Sequence, residues 1–131
     1  VSSGAAIKPR QGWGSYCITK AACNMLVASM GLEEPSLYSL AVRPGVVDTD
    51  MQTSIRSDGA EAMGERNHKT FVDLKEQGKL LHPLEPGSVY AALALSESGA
   101  IEPEINIPSG SFSSWDDPSL IKLRNKVFGS E

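Results

Sequence analysis

Blocks of apolar residues, separated by glycine, proline and charge, divide this chain into alternating strand-like and helix-like segments. Val1 to Ala6 reads as the end of a strand running into small residues. Lys8 to Gly14 reads as a loop broken by Pro9, Gly12 and Gly14. A helix is predicted from about Ser15 to Met30, with Ala21, Ala22, Met25, Leu26, Ala28 and Ser29 as helix formers and small faces. Gly31 is its stop signal, and Glu33-Glu34-Pro35 a turn. Leu37 to Val42 is a short, nearly continuous apolar strand, the pattern of a strand buried on both faces, ended by Pro44-Gly45. Val46 to Pro83 is the least regular stretch. Within it, Ala60 to Gly78 predicts one or two exposed helices whose charges read mostly as a solvated face. Glu85-Pro86-Gly87-Ser88 opens a helix over Val89 to Leu95, closed by Gly99. Ile101 to Pro108 reads as loop and Gly110 to Ser114 as a weak strand. Asp117-Pro118-Ser119 starts a last short helix, Leu120 to Val127. Strands alternating with helices predict an α/β fold with a parallel sheet. Only three strands are expected, two of them stubs, fewer than a doubly wound sheet needs.

Composition narrows the function classes. A net charge of -4 with no basic run disfavours nucleic acid as a partner. No stretch approaches the 18 or so unbroken apolar residues of a membrane span. Cys17 and Cys23 fall on different faces of one predicted helix and are expected to stay unbridged. His68 and His82 offer no metal-ligand spacing, so no metal is expected. A reducing, cytoplasmic location is the simplest expectation. The chain starts at Val1 without an initiator Met or a signal peptide, so it is expected to begin inside a longer protein.

The candidate chemistry starts from Tyr16 and Lys20. Four residues apart on a helix, they are neighbours on one face. An ammonium beside a phenol favours the phenolate, and the pair can exchange a proton with a substrate oxygen. Taken alone, the Y-x-x-x-K pattern is weak, and a surface Tyr-Lys pair is its bland reading. Ser3 lies thirteen residues before Tyr16, where a hydroxyl can reach the same oxygen; Ser2 is its neighbouring alternative. Pro44-Gly45-Val46-Val47-Asp48-Thr49 follows the next strand, and open α/β sheets bind ligands at the carboxyl ends of strands.

Together, S-(x12)-Y-x-x-x-K and P-G-x-x-x-T resemble the C-terminal half of a short-chain dehydrogenase/reductase, over nearly the whole chain. The finer likeness is to sepiapterin reductase and its fungal and bacterial benzil-reductase-like relatives. It is carried by Gly12-Trp13-Gly14-Ser15-Tyr16-Cys17, Leu32-Glu33-Glu34-Pro35, Val47-Asp48-Thr49-Asp50-Met51-Gln52, Gly78-Lys79-Leu80 and Ser109-Gly110, with Asp117 beyond. The resemblance implies the last strands and helices of a Rossmann-type doubly wound parallel sheet. Residues 1–131 would be the catalytic half of one NAD(P)-binding domain. Within it, 1–50 would carry the catalytic motifs, 51–83 a variable substrate lid, and 84–131 the last helix, strand and tail.

The resemblance also assigns roles. Ser3 would orient and polarise a substrate carbonyl, Tyr16 would donate the proton, and Lys20 would assist Tyr16 and hold the nicotinamide ribose. Pro44 and Gly45 would shape the turn beneath the nicotinamide, Val47 would offer backbone bonds to the carboxamide, and Thr49 would cap the next helix and contact the cofactor. The implied cofactor is NADP(H) ahead of NAD(H), the partner a small-molecule carbonyl substrate, and the assembly a homodimer. That dimer would pair through the helix carrying Tyr16, with Cys17, Cys23, Asn24 and Val27 as candidate contacts. Met51, Met63 and Phe71 could line an apolar pocket or pack the lid on itself. Trp13 could floor that pocket or simply pack. Asp117 could anchor substrate or merely cap the last helix, ahead of Pro118 at its first position, and Asp116 sits beside it. Residues 111–115 depart from the sepiapterin reductase pattern. His82 receives no role.

The glycine-rich turn that cradles the pyrophosphate, and the residue that selects NAD or NADP, do not occur in this sequence. The 131 residues are therefore expected to be inactive alone. A non-catalytic Rossmann-fold binding or regulatory module, or a truncated pseudoenzyme, is the alternative, although an intact Ser3-Tyr16-Lys20 set disfavours it. A nucleotide-sugar epimerase shares Y-x-x-x-K but needs a larger substrate domain after Gly110.

Overall fold

The computed structural model describes residues 1–96, 101 and 105–129. Its elements are a 3-10 turn η1 (Gly4–Ala6), helix α1 (Gly14–Glu33), strand β1 (Leu40–Arg43), helices α2 (Asp50–Asp58), α3 (Ala60–Met63), α4 (Glu65–Glu76) and α5 (Leu84–Leu95), strand β2 (Ser111–Ser114) and helix α6 (Pro118–Phe128). The strands β1 and β2 pair in parallel, with Leu40 opposite Ser111 and Arg43 opposite Ser114.

Ala41 and Val42 are both buried, although successive strand residues point to opposite faces, so β1 is covered on both sides. Val42 joins Val89 and Ala92 of α5, Leu120 and Leu123 of α6, and Ile101 and Ile105 in one core. Each fully buried aliphatic side chain there contributes roughly 1.5–3 kcal/mol. The Tyr90 hydroxyl donates to the Val42 carbonyl at 2.8 Å, tying α5 to the strand. Helix α1 packs on β1 and β2 but adds no residue to this core.

Four sequence expectations change. Val1 to Ala6 is not a strand end. The Ser2 N–H does bond the Val42 carbonyl at 2.8 Å, but Ser3 then turns the chain, its hydroxyl accepting from the Ala5 N–H at the start of η1. A local side-chain acceptor of this kind competes with sheet pairing. The sheet accordingly has two strands among the described residues, not three. Gly31 does not stop α1, which runs on to Glu33 and ends ahead of Pro35. A Cβ at Gly31 would lie 2.5 Å from the Gly110 backbone nitrogen, so this glycine permits close packing rather than a cap. Ile101 and Ile105 are helical and buried, where a loop was expected; four residues apart, they turn one face to the core. Gly99 and its expected role as a helix stop lie outside the described residues. The irregular 46–83 stretch holds three helices: α2, α3 and α4.

Candidate active site

Tyr16 and Lys20 lie together near the start of α1, and Ser3 immediately precedes the turn η1. The turn η1 packs on α1, which brings Ser3 to that helix. Ser2 and Ser3 differ in burial and in partner. Ser2 is buried, with its hydroxyl donating to Asn24 Oδ1, whereas Ser3 is half-buried. Tyr16 and Lys20 occupy adjacent turns, and Lys20 Nζ lies 5.7 Å from the Tyr16 ring centroid. Lys20 Nζ also donates to the Val1 carbonyl at 3.0 Å. One ammonium therefore ties the helix face to the backbone two residues before Ser3. A lysine has three donors, so this bond leaves two for other acceptors.

The second part of the site follows β1. Gly45 has φ +79, a conformation that costs glycine little, and a Cβ there would come within 2.7 Å of Leu81 Cδ1 and 3.2 Å of Trp115 Nε1. Val47 forms an isolated parallel bridge with Leu81. The Leu81 N–H donates to the Val46 carbonyl, and the Asp48 N–H donates to the Leu81 carbonyl. Because successive peptide groups point alternately, the N–H and C=O of Val47 face away from Leu81. Thr49 stands at the N-cap of α2, but its hydroxyl accepts no N–H of that helix and instead donates weakly to the Val47 carbonyl at 3.4 Å. Asp48 accepts from Lys75 of α4 at 2.6 Å. That hydrogen bond holds its carboxyl below the usual carboxylate range.

Trp13 and Phe71, both candidates for lining an apolar pocket, are in direct contact beside Tyr16. Trp13 meets Tyr16 edge-to-face, with centroids 5.3 Å apart, and stacks on Phe71 of α4 at 5.6 Å and 11°. Of the three residues proposed to line a pocket, Met63 and Phe71 are buried while Met51 is half-exposed. Asp117 caps α6: one carboxylate oxygen accepts from the Ser119 N–H at 2.9 Å and the other from the Ser113 hydroxyl at 3.1 Å. Asp116 is exposed.

Cys17, Cys23, Asn24 and Val27 are each partly exposed on α1. Asn24 faces inward to Ser2, and the Val27 carbonyl accepts from the Ser39 hydroxyl. The exposed large apolar residues of α1 are Ile18, Met25, Leu26, Met30 and Leu32. Cys17 and Cys23 are free thiols. Among the described residues, no group of three or more His, Cys, Asp and Glu could hold a metal, and no helix is long and apolar enough to cross a membrane.

The sequence model of the short chain dehydrogenase family matches residues 1–60, which contain every one of these elements up to Thr49. The chain belongs to the short-chain dehydrogenase/reductase family. It is 47% identical over 116 residues to an uncharacterized oxidoreductase of Schizosaccharomyces pombe, covering 88% of this chain and 44% of that protein. It is 41% identical over 98 residues to an (S)-benzoin-forming benzil reductase of Saccharomyces cerevisiae, covering 72% of this chain and 37% of that one. Mammalian sepiapterin reductases match as well. The crystal structure of a short-chain dehydrogenase/reductase from Saccharomyces cerevisiae superposes with a TM-score of 0.82 at 37% identity, over 94% of this chain and 47% of that one. This family member thus spans about half the length of the relatives it matches, and its two parallel strands and flanking helices form part of a Rossmann-type α/β fold.

Proposed function

We propose that this chain is the catalytic half, residues 1–131, of an NAD(P)(H)-dependent carbonyl reductase of benzil-reductase or sepiapterin-reductase type. The observation that carries this reading is the Lys20 ammonium 5.7 Å from the Tyr16 ring, with Ser3 on the turn packed against the same helix. The half-buried Ser3 hydroxyl donates to the substrate carbonyl and polarises it. Tyr16 delivers its proton to the oxygen as negative charge develops there. Lys20, anchored on Val1, stabilises the phenolate left behind and supplies donors for ribose hydroxyls.

The residues present suit a nicotinamide cofactor. The outward N–H and C=O of Val47 match the two faces of a carboxamide. The Pro44-Gly45 turn leaves no room for a side chain beneath it, and the Thr49 hydroxyl lies alongside. When bound, the cofactor supplies the hydride; the protein supplies orientation and electrostatics. We favour NADP(H) over NAD(H), on the likeness to sepiapterin reductases. Substrate enters beneath the 51–83 segment, which acts as a lid. Asp117, with both oxygens engaged within the chain, is given the cap and no substrate contact.

The exposed stripe Ile18, Met25 and Leu32 on α1 supports a homodimer through that helix, which light scattering of the full-length protein decides. Two free thiols suit a reducing, cytoplasmic compartment. Tyr16→Phe in the full-length protein tests the assignment. With NADPH and benzil, turnover falls by about 10²-fold or more while cofactor binding persists. Lys20→Ala weakens both. Wild-type turnover in Tyr16→Phe refutes the reading.

A further inference from the structure

Residues 10–13 form a continuous clasp on the lid. The Arg10 guanidinium lies 6.0 Å from the Phe71 ring centroid. Gln11 Oε1 accepts from Asn67 Nδ2 at 3.4 Å, and the same amide donates to the Met63 carbonyl at 3.0 Å. Gly12, at φ +77, brings its backbone so close to α3 that a Cβ would lie 2.5 Å from the Ala62 carbonyl oxygen. Trp13 stacks on Phe71. Four consecutive residues thus each touch α3 or α4.

Trp13 also belongs to the proton-donor end. Its carbonyl accepts the Cys17 N–H at 2.8 Å, which fixes it to the first turn of α1, and its ring meets Tyr16 edge-to-face. One indole therefore contacts both the lid and the phenol, on different ring neighbours. Phe71 contacts the indole and lies on another helix from Tyr16.

We propose that Trp13 is a positioning residue that couples docking of the α3–α4 lid to the orientation of the Tyr16 phenol, so that lid closure completes the proton donor. This rests on the carbonyl-reductase reading. When the lid is docked, Phe71 fixes the indole plane, and the indole edge contact restricts the phenol. When the lid lifts, the stack is lost and the phenol gains freedom. Aromatic pairs of this geometry are worth enough to change a rate three- to tenfold.

The test compares Trp13→Leu, Trp13→Phe, Phe71→Leu and the Trp13→Leu/Phe71→Leu double variant in the full-length protein, with benzil and NADPH. Phe71→Leu is expected to lower kcat about three- to tenfold with unchanged NADPH affinity, although it touches no reacting group. Trp13→Leu lowers kcat similarly, the double variant is no worse than either single one, and Trp13→Phe recovers most of the rate. Purely structural packing predicts otherwise: additive losses, a change confined to KM, or a lowered urea midpoint with kcat intact. Any of these overturns the coupling. Should Trp13→Leu fail to fold, Phe71→Leu and Trp13→Phe decide the matter between them. Tyr16→Phe, run alongside, separates the two ideas. Full turnover there removes the proton donor and the coupling with it, whereas lost turnover with unaltered kcat in Phe71→Leu removes the coupling alone.

Discussion

Replacing Gly31 with alanine should destabilise this protein, while the same change at Gly87 should not. Both glycines lie inside helices, Gly31 in α1 and Gly87 in α5. Helix propensity favours alanine at either position by about 1 kcal/mol. Their surroundings differ. A Cβ at Gly87 meets nothing within 4 Å, whereas one at Gly31 falls 2.5, 2.6 and 2.8 Å from backbone atoms of Ser109 and Gly110. Those atoms cannot yield as a side-chain tip could, because the Gly110 N–H is held by the Ser39 carbonyl at 2.7 Å. Helix α1 must withdraw by about an ångström, an overpacking cost of about 1–3 kcal/mol. Withdrawal also stretches the bond from the Ser39 hydroxyl to the Val27 carbonyl, now 3.0 Å, at about 1 kcal/mol more. Set against the propensity gain, Gly31→Ala should lose about 2 kcal/mol net, and Gly87→Ala should gain about 0.5–1 kcal/mol. Urea unfolding followed by circular dichroism measures both. Equal stability of the two variants, or a stabilised Gly31→Ala, refutes the close packing of α1 on the Ser109-Gly110 turn.

Two further outcomes follow from the same contacts. Burial pushes the Tyr90 phenol up to about 12 from 10.0. Between those values the unfolded chain has released this proton and the folded one retains it, so stability is present below pH 10 and is lost as pH rises towards 12. Half-exposed as the group is, screening leaves about 1 kcal/mol for this loss. Tyr90→Phe should flatten that alkaline limb while costing about 1 kcal/mol at neutral pH through the lost bond to Val42; an alkaline limb as steep as wild type refutes it. Asp117→Ala should cost about 1 kcal/mol as a lost N-cap. Under the proposed carbonyl-reductase function it should leave KM for the carbonyl unchanged, and a raised KM at wild-type stability would instead make this carboxylate a substrate anchor.

Motif spacing made the site legible because it depends on local geometry. Tyr16 and Lys20 are adjacent on any helix that contains both, and Pro44-Gly45 marks the end of β1 wherever that strand pairs. What the sequence concealed was decided by distant partners. Gly31 carries the composition of a helix stop, yet its role comes from Gly110, far along the chain. Ile101 and Ile105 sit among prolines and acids that suggest loop, and only the core formed with α5 and α6 makes them helical. The turn at Ser3 replaced a strand because one hydroxyl found one N–H, a choice no hydrophobic pattern records. The Trp13–Phe71 stack joins two segments that share no local signal.

The excursion from α2 to α4 leaves the site and returns to it at one place. It departs at Thr49, and the chain comes back to pair Leu81 with Val47, while Lys75 reaches across to Asp48. Both ends of this excursion are thereby pinned to the segment that follows β1. Once the ends are pinned, each doubling of the intervening length costs only about 0.6 kcal/mol in closure entropy. The excursion can therefore vary in length and sequence with little effect on the Pro44–Thr49 geometry. The contacts of residues 10–13 with α3 and α4 are different in kind: they depend on what lies between the pinned ends. An excursion of altered sequence that kept Val47–Leu81 and Asp48–Lys75 but lost Phe71 would leave the turn after β1 intact and free the indole beside Tyr16. In that division, the pinned ends preserve the segment that follows β1, and the interior of the excursion bears, through Trp13, on Tyr16 of α1.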